Sequence, residues 1–393
     1  MDIRFSEIAH AFQPSQIRNK IFDDPGVISF AAGKPDSSLF PTDKMKQVFN
    51  NVIDRHGEGA FQYSETEGLK DLRTIIANQR MEVAGVNVNA ENIALTSGAQ
   101  QGIEFSAKIF VNEGDVILTE NPSYTGALSA FKAYRPKCVG VTMDNDGMKM
   151  EELEEKLQLY PNTKMIYTIP DFQNPTGVTM SIEKRKRLAE LGAKYKVPIV
   201  EDCPYGDIIY EGKRYPSVKS FDKAGWVIYL GSFSKVFVPG LRIGWVCASA
   251  QILEKYIMAK QNSDLQCSSL NEVLTIEYMQ AYDLEGHINK IKQVYKARRD
   301  LMLERIKQYF PEEIKYTTPN GGFFIWLELK QGIDANEILE KSFEDEKVVF
   351  VPGGSFFTGT EYKNFIRLSY SSVNDKEIIE GMKKLGKVVS NYY

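Results

Sequence analysis

A single lysine that follows a predicted buried strand is the residue in this sequence best placed for covalent chemistry. Residues 226–230 form an apolar run that predicts a buried strand, and Lys235 comes shortly after its end. Burial removes water from an amine and disfavours its charged form. A neutral amine can attack a carbonyl group and form a Schiff base. The sequence therefore places a candidate nucleophile at the end of this strand.

The residues around Lys235 could bind a phosphate group. Ser232 and Ser234 come before it, and Arg242 follows it beyond a Pro-Gly turn. Two hydroxyl donors and a fixed cation suit a phosphate. An aldehyde that carries a phosphate, such as pyridoxal 5'-phosphate (PLP), would use the amine and these donors together. An ordinary basic loop is the alternative interpretation, but the pattern S-x-S-K-x-x-x-P-G-x-R-x-G is much more restrictive than one lysine.

The elements that must position these residues are strands that alternate with helices. Such alternation is typical of βαβ units and predicts an α/β fold with a largely parallel sheet. The predicted strands span 92–96, 116–120, 165–169, 198–202, 226–230 and 243–248, and the helices between them span 100–111, 124–133, 150–158 and 181–195. A long helical pattern after residue 271 leads to predicted strands at 323–328, 348–351 and 365–369 and helices at 334–346 and 374–390.

Distinctive polar or aromatic residues follow five of the predicted strands. Ligands of open parallel sheets bind at the carboxyl ends of the strands, so these residues are expected to lie close together. In chain order they are Gly98, Ala99 and Gln100, then Tyr124, then Asn174, then Asp202 and Tyr205, and finally Lys235.

Two of these groups suit the phosphate and the ring of PLP. Gly98, Ala99 and Gln100 open a helix, whose free backbone N–H groups could bind a phosphate, although plain helix starts are common. Tyr124 could stack on an aromatic ring, or it could be an ordinary core residue.

Three further residues suit the polar atoms of the PLP ring. Asp202 ends a buried strand, where a carboxylate without a partner is costly, and a pyridinium nitrogen would supply that partner. Asn174 and Tyr205 could each donate a hydrogen bond to the phenolic oxygen. The alternatives are an aspartate that caps the next turn and an ordinary Asn-Pro-Thr-Gly turn.

Composition narrows the classes of function. The chain has 393 residues, 43% of them apolar and 25% charged, which is typical of a globular protein of two or three domains. A net charge of -4 argues against a nucleic-acid partner, and no apolar run is long enough to cross a membrane. The N-terminus has no signal-peptide pattern and the four cysteines form no C-x-x-C pair, so a cytoplasmic location is expected. The three histidines are too scattered to indicate a metal site.

The motifs together resemble a known enzyme family. Residues 62–68 (QYSETEG), 172–177 (FQNPTG), 231–235 (GSFSK) and 351–354 (VPGG) are similar to those of fold-type I PLP-dependent aminotransferases of class I/II. The 2-aminoadipate (LysN-type) and kynurenine aminotransferase branch is the most similar. The resemblance covers nearly the whole chain.

The resemblance implies a division of the chain into three parts. The large PLP-binding domain is expected over 45–285, with a mostly parallel seven-stranded sheet sandwiched by helices. A smaller α+β domain is expected over 286–393. The N-terminal segment 1–44 is expected to pack with the small domain and the active site.

The resemblance also assigns roles to the candidate residues. It implies that Lys235 is the Schiff-base lysine and proton shuttle, and that Asp202 and Tyr205 complete the catalytic set. Tyr63 is implied to reach the phosphate of the neighbouring subunit in a homodimer. The implied cofactor-binding residues are Gly98, Ala99, Gln100, Tyr124, Asn174, Asp202, Tyr205, Ser232, Ser234, Lys235, Arg242 and Tyr63.

Further residues are implied to bind the substrate beside Asn174. Arg367 is implied to bind the substrate α-carboxylate, although a structural Asp or Glu could equally be its partner. Gly33 matches a loop that lines the substrate pocket. Ser15 and Arg18 match an N-terminal helix that contacts the substrate side chain, and an exposed Arg18 without a specific role is the alternative.

The implied reaction transfers the amino group of an L-amino acid to a 2-oxo acid such as 2-oxoglutarate by a ping-pong mechanism. The donor could be 2-aminoadipate, glutamate, or an aromatic or branched-chain amino acid. A PLP-dependent β-lyase that acts on cysteine conjugates is an alternative, because it needs the same residues. A non-catalytic aminotransferase-like regulator is a second alternative, disfavoured because only about 90 residues precede the first sheet strand. The expected partners are a second copy and the substrates, with no nucleic acid and no membrane.

Overall fold

Strands and helices alternate along most of the chain. The computed structural model describes residues 3–11, 26–359 and 362–393. The strands are β1 (Ile28–Ser29), β2 (Ile93–Thr96), β3 (Val116–Asn121), β4 (Lys137–Asp144), β5 (Gly147–Met148), β6 (Thr163–Thr168), β7 (Ile199–Asp202), β8 (Val227–Ser232), β9 (Gly244–Cys247), β10 (Lys315–Tyr316), β11 (Phe324–Glu328), β12 (Val348–Val349), β13 (Val351–Pro352) and β14 (Phe365–Ser369).

The helices lie mainly between the strands and at the C-terminal end of the chain. They are α1 (Glu7–His10), α2 (Thr42–His56), α3 (Lys70–Ile75), α4 (Ala99–Phe110), α5 (Thr125–Lys132), α6 (Met150–Leu159), α7 (Ile182–Tyr195), α8 (Ala250–Ser263), α9 (Ser269–Ala281), α10 (Leu284–Tyr309), α11 (Ala335–Glu346) and α12 (Asp375–Ser390). A π-helical turn over Ile76–Met81 continues α3.

The largest sheet has eight strands in the order β2-β9-β8-β7-β6-β3-β4-β5. Strands β3, β4, β6, β7 and β8 run parallel, while β9 runs antiparallel to both β8 and β2. Strand β2 therefore points in the same direction as β8. The predicted mostly parallel α/β sheet is confirmed, and the two-residue β5 adds an eighth strand at its edge.

Besides the two-residue β5, two elements of the large sheet region are absent from the prediction. Strand β4 lies near the sheet edge, and along it only Val141 is fully buried, so it lacks the apolar run of the inner strands. Helix α8 carries polar residues on most of its surface and buries Leu253, Tyr256, Ala259 and Lys260. Weak apolar periodicity explains why neither element stands out in the sequence.

A second, antiparallel sheet is formed by the C-terminal part of the chain. Its strand order is β10-β11-β14-β13. The N-terminal strand β1 pairs in parallel with β12, and the Ser369 backbone N–H donates to the Phe30 carbonyl at 2.8 Å. Residues 28–30 are therefore held by the C-terminal part of the chain, although they precede the large sheet in sequence.

The close packing of β8 against β9 requires a glycine at the end of β8. Gly231 and Trp245 are directly opposite each other in the ladder, and the indole ring covers the glycine. A Cβ atom on Gly231 would lie 2.2 Å from Cε2 of Trp245. Because Ser232 and Lys235 follow immediately, this contact also fixes where the chain leaves the sheet.

Some classes of site have no support in the described ranges. Among the helices given above, none combines the length and the apolar character that crossing a bilayer requires. No cluster of His, Cys, Asp and Glu side chains within 3–11, 26–359 and 362–393 is arranged to hold a metal ion. The four cysteines are free thiols.

Gly231→Ala should destabilise the protein, because the added methyl group has no room beside Trp245. Overpacking of a core costs about 1–3 kcal/mol. Urea unfolding followed by tryptophan fluorescence measures the change in the free energy of unfolding. Gly59→Ala is the control, because its Cβ would meet no atom within 4 Å. Equal stability of the two variants would contradict the packing described for β8 and β9.

Candidate active site

A cavity of about 650 Å³ lies at the carboxyl ends of β2, β3, β6, β7 and β8. It brings together residues that follow five separate strands, as the pattern of polar strand ends predicts. Of the predicted site residues, the cavity is lined by Ala99, Gln100, Tyr124, Asn174, Asp202, Tyr205, Ser232, Ser234, Lys235 and Arg242.

Lys235 holds its amine at the wall of this cavity. The Nζ atom donates a hydrogen bond to the Gly33 carbonyl at 2.9 Å. Loss of water lowers the pKa of Lys235 to about 8, and the positive charges of Arg242 and Arg367 lower it as well, while Asp202 opposes them. A substantial fraction of the amine is therefore neutral near pH 8, which is the form that acts as a nucleophile or a base.

Asp202 has one carboxylate oxygen without a protein partner. Its Oδ2 atom accepts from the Tyr167 hydroxyl at 2.7 Å, whereas the buried Oδ1 atom has no hydrogen bond. Burial raises the pKa of Asp202 to about 7, against the opposing effects of the Tyr167 hydrogen bond and the charge of Lys235. This buried oxygen on the cavity wall is free to accept a hydrogen bond from a molecule bound in the cavity.

Backbone and side chains form a compact cradle at one end of the cavity. Gly98 has φ +81°, and a Cβ atom there would lie 2.4 Å from Nη2 of Arg242. A Cβ atom on Gly244 would lie 2.8 Å from the backbone nitrogen of Ala99, the first residue of α4. These two glycines therefore let the N-terminus of α4 approach β9 and the guanidinium closely.

Hydroxyl groups and the guanidinium of Arg242 complete this cradle. The Ser232 hydroxyl donates to the Ser234 hydroxyl at 2.9 Å, and the Arg242 Nη2 atom donates to the Ser97 carbonyl at 3.0 Å. The Nη1 atom of Arg242 lies 3.5 Å from Ser234 Oγ. A helix N-terminus, two hydroxyl groups and a fixed cation together suit a phosphate.

Tyr124 and Gln100 lie next to this cradle and contact each other. The Tyr124 hydroxyl donates to Oε1 of Gln100 at 3.3 Å, and Nε2 of Gln100 donates to the Gly126 carbonyl at 2.9 Å. The Tyr124 ring is half-buried and faces the cavity, where an aromatic ligand could stack on it.

Arg367 is a buried cation that has no carboxylate partner among the described residues. Its Nη1 atom donates to Oδ1 of Asn174 at 2.9 Å, and its Nη2 atom donates to the Ala31 carbonyl at 2.7 Å. The guanidinium lies over the Phe324 ring at 4.3 Å, and its Nε atom has no partner. Burial lowers the pKa of Arg367 to about 10. A buried cation in neutral surroundings favours binding of an anion.

Asn174 connects Arg367 with Tyr205. Asn174 also lies beside the Tyr205 hydroxyl, and burial holds the pKa of this phenol well above its usual value. The Asn174-Pro175 peptide bond is cis. Both side chains are nearly inaccessible to solvent except through the cavity.

Three predicted residues that do not line the cavity contact residues that do: Gly33 contacts Lys235, Gly98 lies against Arg242, and Arg367 bonds to Asn174. Tyr63 is 78% exposed and does not line the cavity. Ser15 and Arg18 lie outside the described residues.

The loop 31–37 contributes more to the site than Gly33 alone. Its Asp36 lines the cavity and accepts a hydrogen bond from Nη2 of Arg298 at 2.6 Å. Arg298 interrupts the apolar stripe of α10 between Tyr295 and Met302, and an arginine at such a core position is a signal that it has a buried partner. The hydroxyl of Tyr167 gives no comparable signal, because a tyrosine in a buried strand is common.

Lys235 should react with acetic anhydride at a lower pH than an ordinary lysine. In the cofactor-free protein its neutral fraction should reach one half near pH 8 and rise above that, because burial favours loss of the proton. Mass spectrometry of the peptide that contains Lys235, after brief labelling across the pH range, gives this midpoint. Asp202→Asn should move the midpoint lower, because the Asp202 charge raises the Lys235 pKa. A midpoint near 10.5, the ordinary lysine value, would contradict the burial of this amine.

The sequence matches one enzyme family over most of its length. Residues 25–385 match the family described as aminotransferase class I and II. Aromatic-amino-acid aminotransferase 1 of Thermococcus litoralis is 40% identical over 391 residues, covering 98% of this chain and 94% of the relative. The 2-aminoadipate transaminase of Thermus thermophilus is 36% identical over 390 residues, covering 98% and 96% of the two chains.

A solved structure shares the whole fold. The crystal structure of Pyrococcus horikoshii kynurenine aminotransferase in complex with PMP, KYN and KYA superposes with a TM-score of 0.94 at 37% identity. The superposition covers 99% of this chain and 97% of the other. The family match, the relatives and the shared fold agree with the cavity described above: the chain belongs to the class I and II aminotransferases, which are PLP-dependent transaminases of fold type I.

Proposed function

We propose that this protein transfers the amino group of an L-amino acid to a 2-oxo acid such as 2-oxoglutarate, with PLP as cofactor and a ping-pong mechanism. One observation carries the proposal. The cavity is lined by a lysine of lowered pKa and a buried carboxylate with an unmatched oxygen, and its lining residue Asn174 bonds to a buried arginine, Arg367, that has no carboxylate partner among the described residues. These three groups complement an aldehyde, a protonated ring nitrogen and a substrate carboxylate.

The residues of the cavity fit PLP. The unmatched Oδ1 of Asp202 would accept from the ring nitrogen, and Asn174 and Tyr205 would bind the phenolic oxygen. Tyr124 would stack on the ring. When bound, PLP supplies an electron-accepting ring that stabilises negative charge at the substrate α-carbon. The residues that would bind its phosphate are Gly98, Ala99, Gln100, Ser232, Ser234 and Arg242.

Lys235 would act as the base of the reaction. Its Nζ atom lies at the cavity wall, and its lowered pKa leaves part of the amine neutral and able to remove the proton from the substrate α-carbon. The ammonium formed in that step can return a proton later in the cycle. The Gly33 carbonyl would hold this ammonium, because it already accepts a hydrogen bond from Nζ.

Arg367 would orient the substrate. Its guanidinium could bind the α-carboxylate through paired hydrogen bonds, and such pairing fixes the direction of the substrate as well as its position. The contacts to Asn174 and the Ala31 carbonyl hold the guanidinium in place from the other side. Its burial between Phe324 and Phe356 would exclude water from the ion pair.

We also propose a homodimer in which Tyr63 reaches the phosphate site of the partner subunit. Tyr63 is 78% exposed in the single chain, and Phe61 beside it is 63% exposed. Exposure of two neighbouring aromatic side chains favours a protein contact on this surface. The proposed domains remain 1–44, 45–285 and 286–393, a division supported by the pairing of β1 with β12.

The substrate proposal is a broad one that includes acidic and aromatic donors. The relatives carry the names aromatic-amino-acid aminotransferase and 2-aminoadipate transaminase. Arg18 would favour an acidic side chain, whereas Phe40 and Tyr124 line the cavity with aromatic surface. Ser15 would contact the substrate side chain beside Arg18.

Lys235→Ala should reduce transamination by about a thousandfold or more, because it removes the only proposed proton-transfer group. The same variant should lack the shifted absorption band that the wild type gives when it is mixed with PLP, and it should show only the absorption of free PLP. Lys164→Ala is the control, because Lys164 is the exposed lysine of β6 and does not line the cavity, and it should keep the band. Turnover and an unchanged band in Lys235→Ala would refute the proposed function.

Arg18→Ala should raise KM for 2-aminoadipate and glutamate by about tenfold and leave KM for aromatic donors unchanged, because only acidic side chains would lose an ion pair. A panel of amino-acid donors with 2-oxoglutarate as acceptor measures the effect. Arg187→Ala on α7 is the control, since Arg187 pairs with Glu154 and Glu190. Equal KM values for acidic donors in the wild type, Arg18→Ala and Arg187→Ala would show that Arg18 does not bind the side chain of these donors.

A further inference from the structure

Glu120, the penultimate residue of β3, is a buried carboxylate that does not itself line the cavity. It is 1% exposed and accepts hydrogen bonds from the Thr168 hydroxyl at 2.5 Å and the Ile169 backbone N–H at 3.1 Å. The Gln173 side chain donates to it at 3.0 Å. No Lys, Arg or His side chain of the described ranges forms an ion pair with it. Glu120 is therefore a carboxylate held by neutral donors alone.

Gln173 uses both ends of its amide to hold the following loop. Its Nε2 atom donates to Glu120 and also to the Pro122 carbonyl at 2.9 Å. Its Oε1 atom accepts from the Thr176 backbone N–H at 2.9 Å and from the Thr176 hydroxyl at 2.7 Å. Gln173 is fully buried, so no water competes for these bonds. The turn 173–176 is thus connected to the end of β3 through a single side chain.

Asn174 lies inside this turn and faces the cavity. It contacts Arg367 on one side and Tyr205 on the other. Glu120 is therefore connected through Gln173 to Asn174, which contacts both Arg367 and Tyr205. A shift of the turn would move the Arg367 guanidinium and the Tyr205 phenol together.

We propose that Glu120 is a positioning residue for transamination, which fixes the turn 173–176 through Gln173 and thereby sets the position of Asn174 between Arg367 and Tyr205. This inference rests on the proposed function for its effect on the substrate. The expected effect on the turn 173–176 depends only on the hydrogen bonds of Glu120 and Gln173.

A carboxylate suits position 120 because three hydrogen-bond donors converge on it. Two carboxylate oxygens accept from Thr168, Ile169 and Gln173 at once. In Glu120→Gln the side chain keeps its shape, but it has one acceptor oxygen and one NH₂ group. One oxygen cannot accept from Thr168, Ile169 and Gln173 at the same time, so at least one of these three hydrogen bonds is lost. Loss of the Gln173 bond would leave Gln173 connected to the end of β3 only through the Pro122 carbonyl, while the packing stays.

Glu201 provides a matched control on the neighbouring part of the sheet. It is the penultimate residue of β7, is fully buried and accepts from the backbone N–H groups of Val218 at 2.7 Å and Lys219 at 2.9 Å. These hydrogen bonds do not reach the turn 173–176. Glu201→Gln therefore removes a buried carboxylate of the same kind without releasing Asn174.

The experiment compares the wild type, Glu120→Gln and Glu201→Gln as PLP-loaded proteins. Glu120→Gln should raise KM for the amino-acid donor by about tenfold, because a misplaced Arg367 binds the carboxylate poorly, while kcat changes less. Glu201→Gln should keep the wild-type KM. Equal KM values in Glu120→Gln and wild type, or equal increases in both variants, would overturn the proposal.

Hydrogen exchange gives a readout that does not depend on catalysis. The Thr176 amide is protected by Oε1 of Gln173, so its exchange rate should rise about tenfold or more in Glu120→Gln and stay unchanged in Glu201→Gln. Gln173→Met should reproduce the exchange and KM changes if Glu120→Gln fails to fold. Wild-type protein without transaminase activity would overturn the proposed function, whereas an unchanged Thr176 exchange rate would overturn the role of Glu120.

Discussion

Charged groups that are buried without complete protein partners are the constraint on which this structure depends. Asp202 keeps one buried oxygen unmatched, Arg367 has no carboxylate among the described residues, and Lys235 loses part of its charge through burial. Each group raises the free energy of the folded chain unless a ligand completes it. A protonated ring nitrogen would provide a partner for Asp202, an aldehyde would react with Lys235, and a carboxylate would pair with Arg367. The site therefore favours ligands that carry all three features.

The sheet makes this arrangement possible because its parallel strands deliver their ends to one edge. Five strand ends supply the cavity, and the antiparallel β9 inserts between β2 and β8 without disturbing that edge. Gly244 on β9 approaches the backbone of Gly98 and Ala99, so the start of α4 is packed tightly against the strand. Backbone N–H groups positioned in this way need little rearrangement when an anion binds. The C-terminal part of the chain adds Arg367 from the opposite side.

The sequence contains enough information to predict the large sheet and most of the site. The inner strands are apolar runs, and the rule that ligands bind at carboxyl strand ends is sufficient to group Lys235, Asp202 and Asn174 from their positions in the chain. Strand β4 is harder to predict because its apolar pattern is weak and only Val141 along it is fully buried. The Tyr167 partner of Asp202 depends on the neighbour relation of β6 and β7, which is a property of the sheet order. Contacts between residues far apart in sequence, such as Asp36 with Arg298, likewise require the tertiary fold.

The most direct test of the central claim is covalent trapping at the buried amine. Purified protein is mixed with PLP, reduced with borohydride, digested and analysed by mass spectrometry. We expect one phosphopyridoxyl group on the peptide that contains Lys235, because this amine lies at the wall of the cavity with a pKa lowered to about 8. Absence of added mass at Lys235, or labelling spread evenly over surface lysines, would contradict the account.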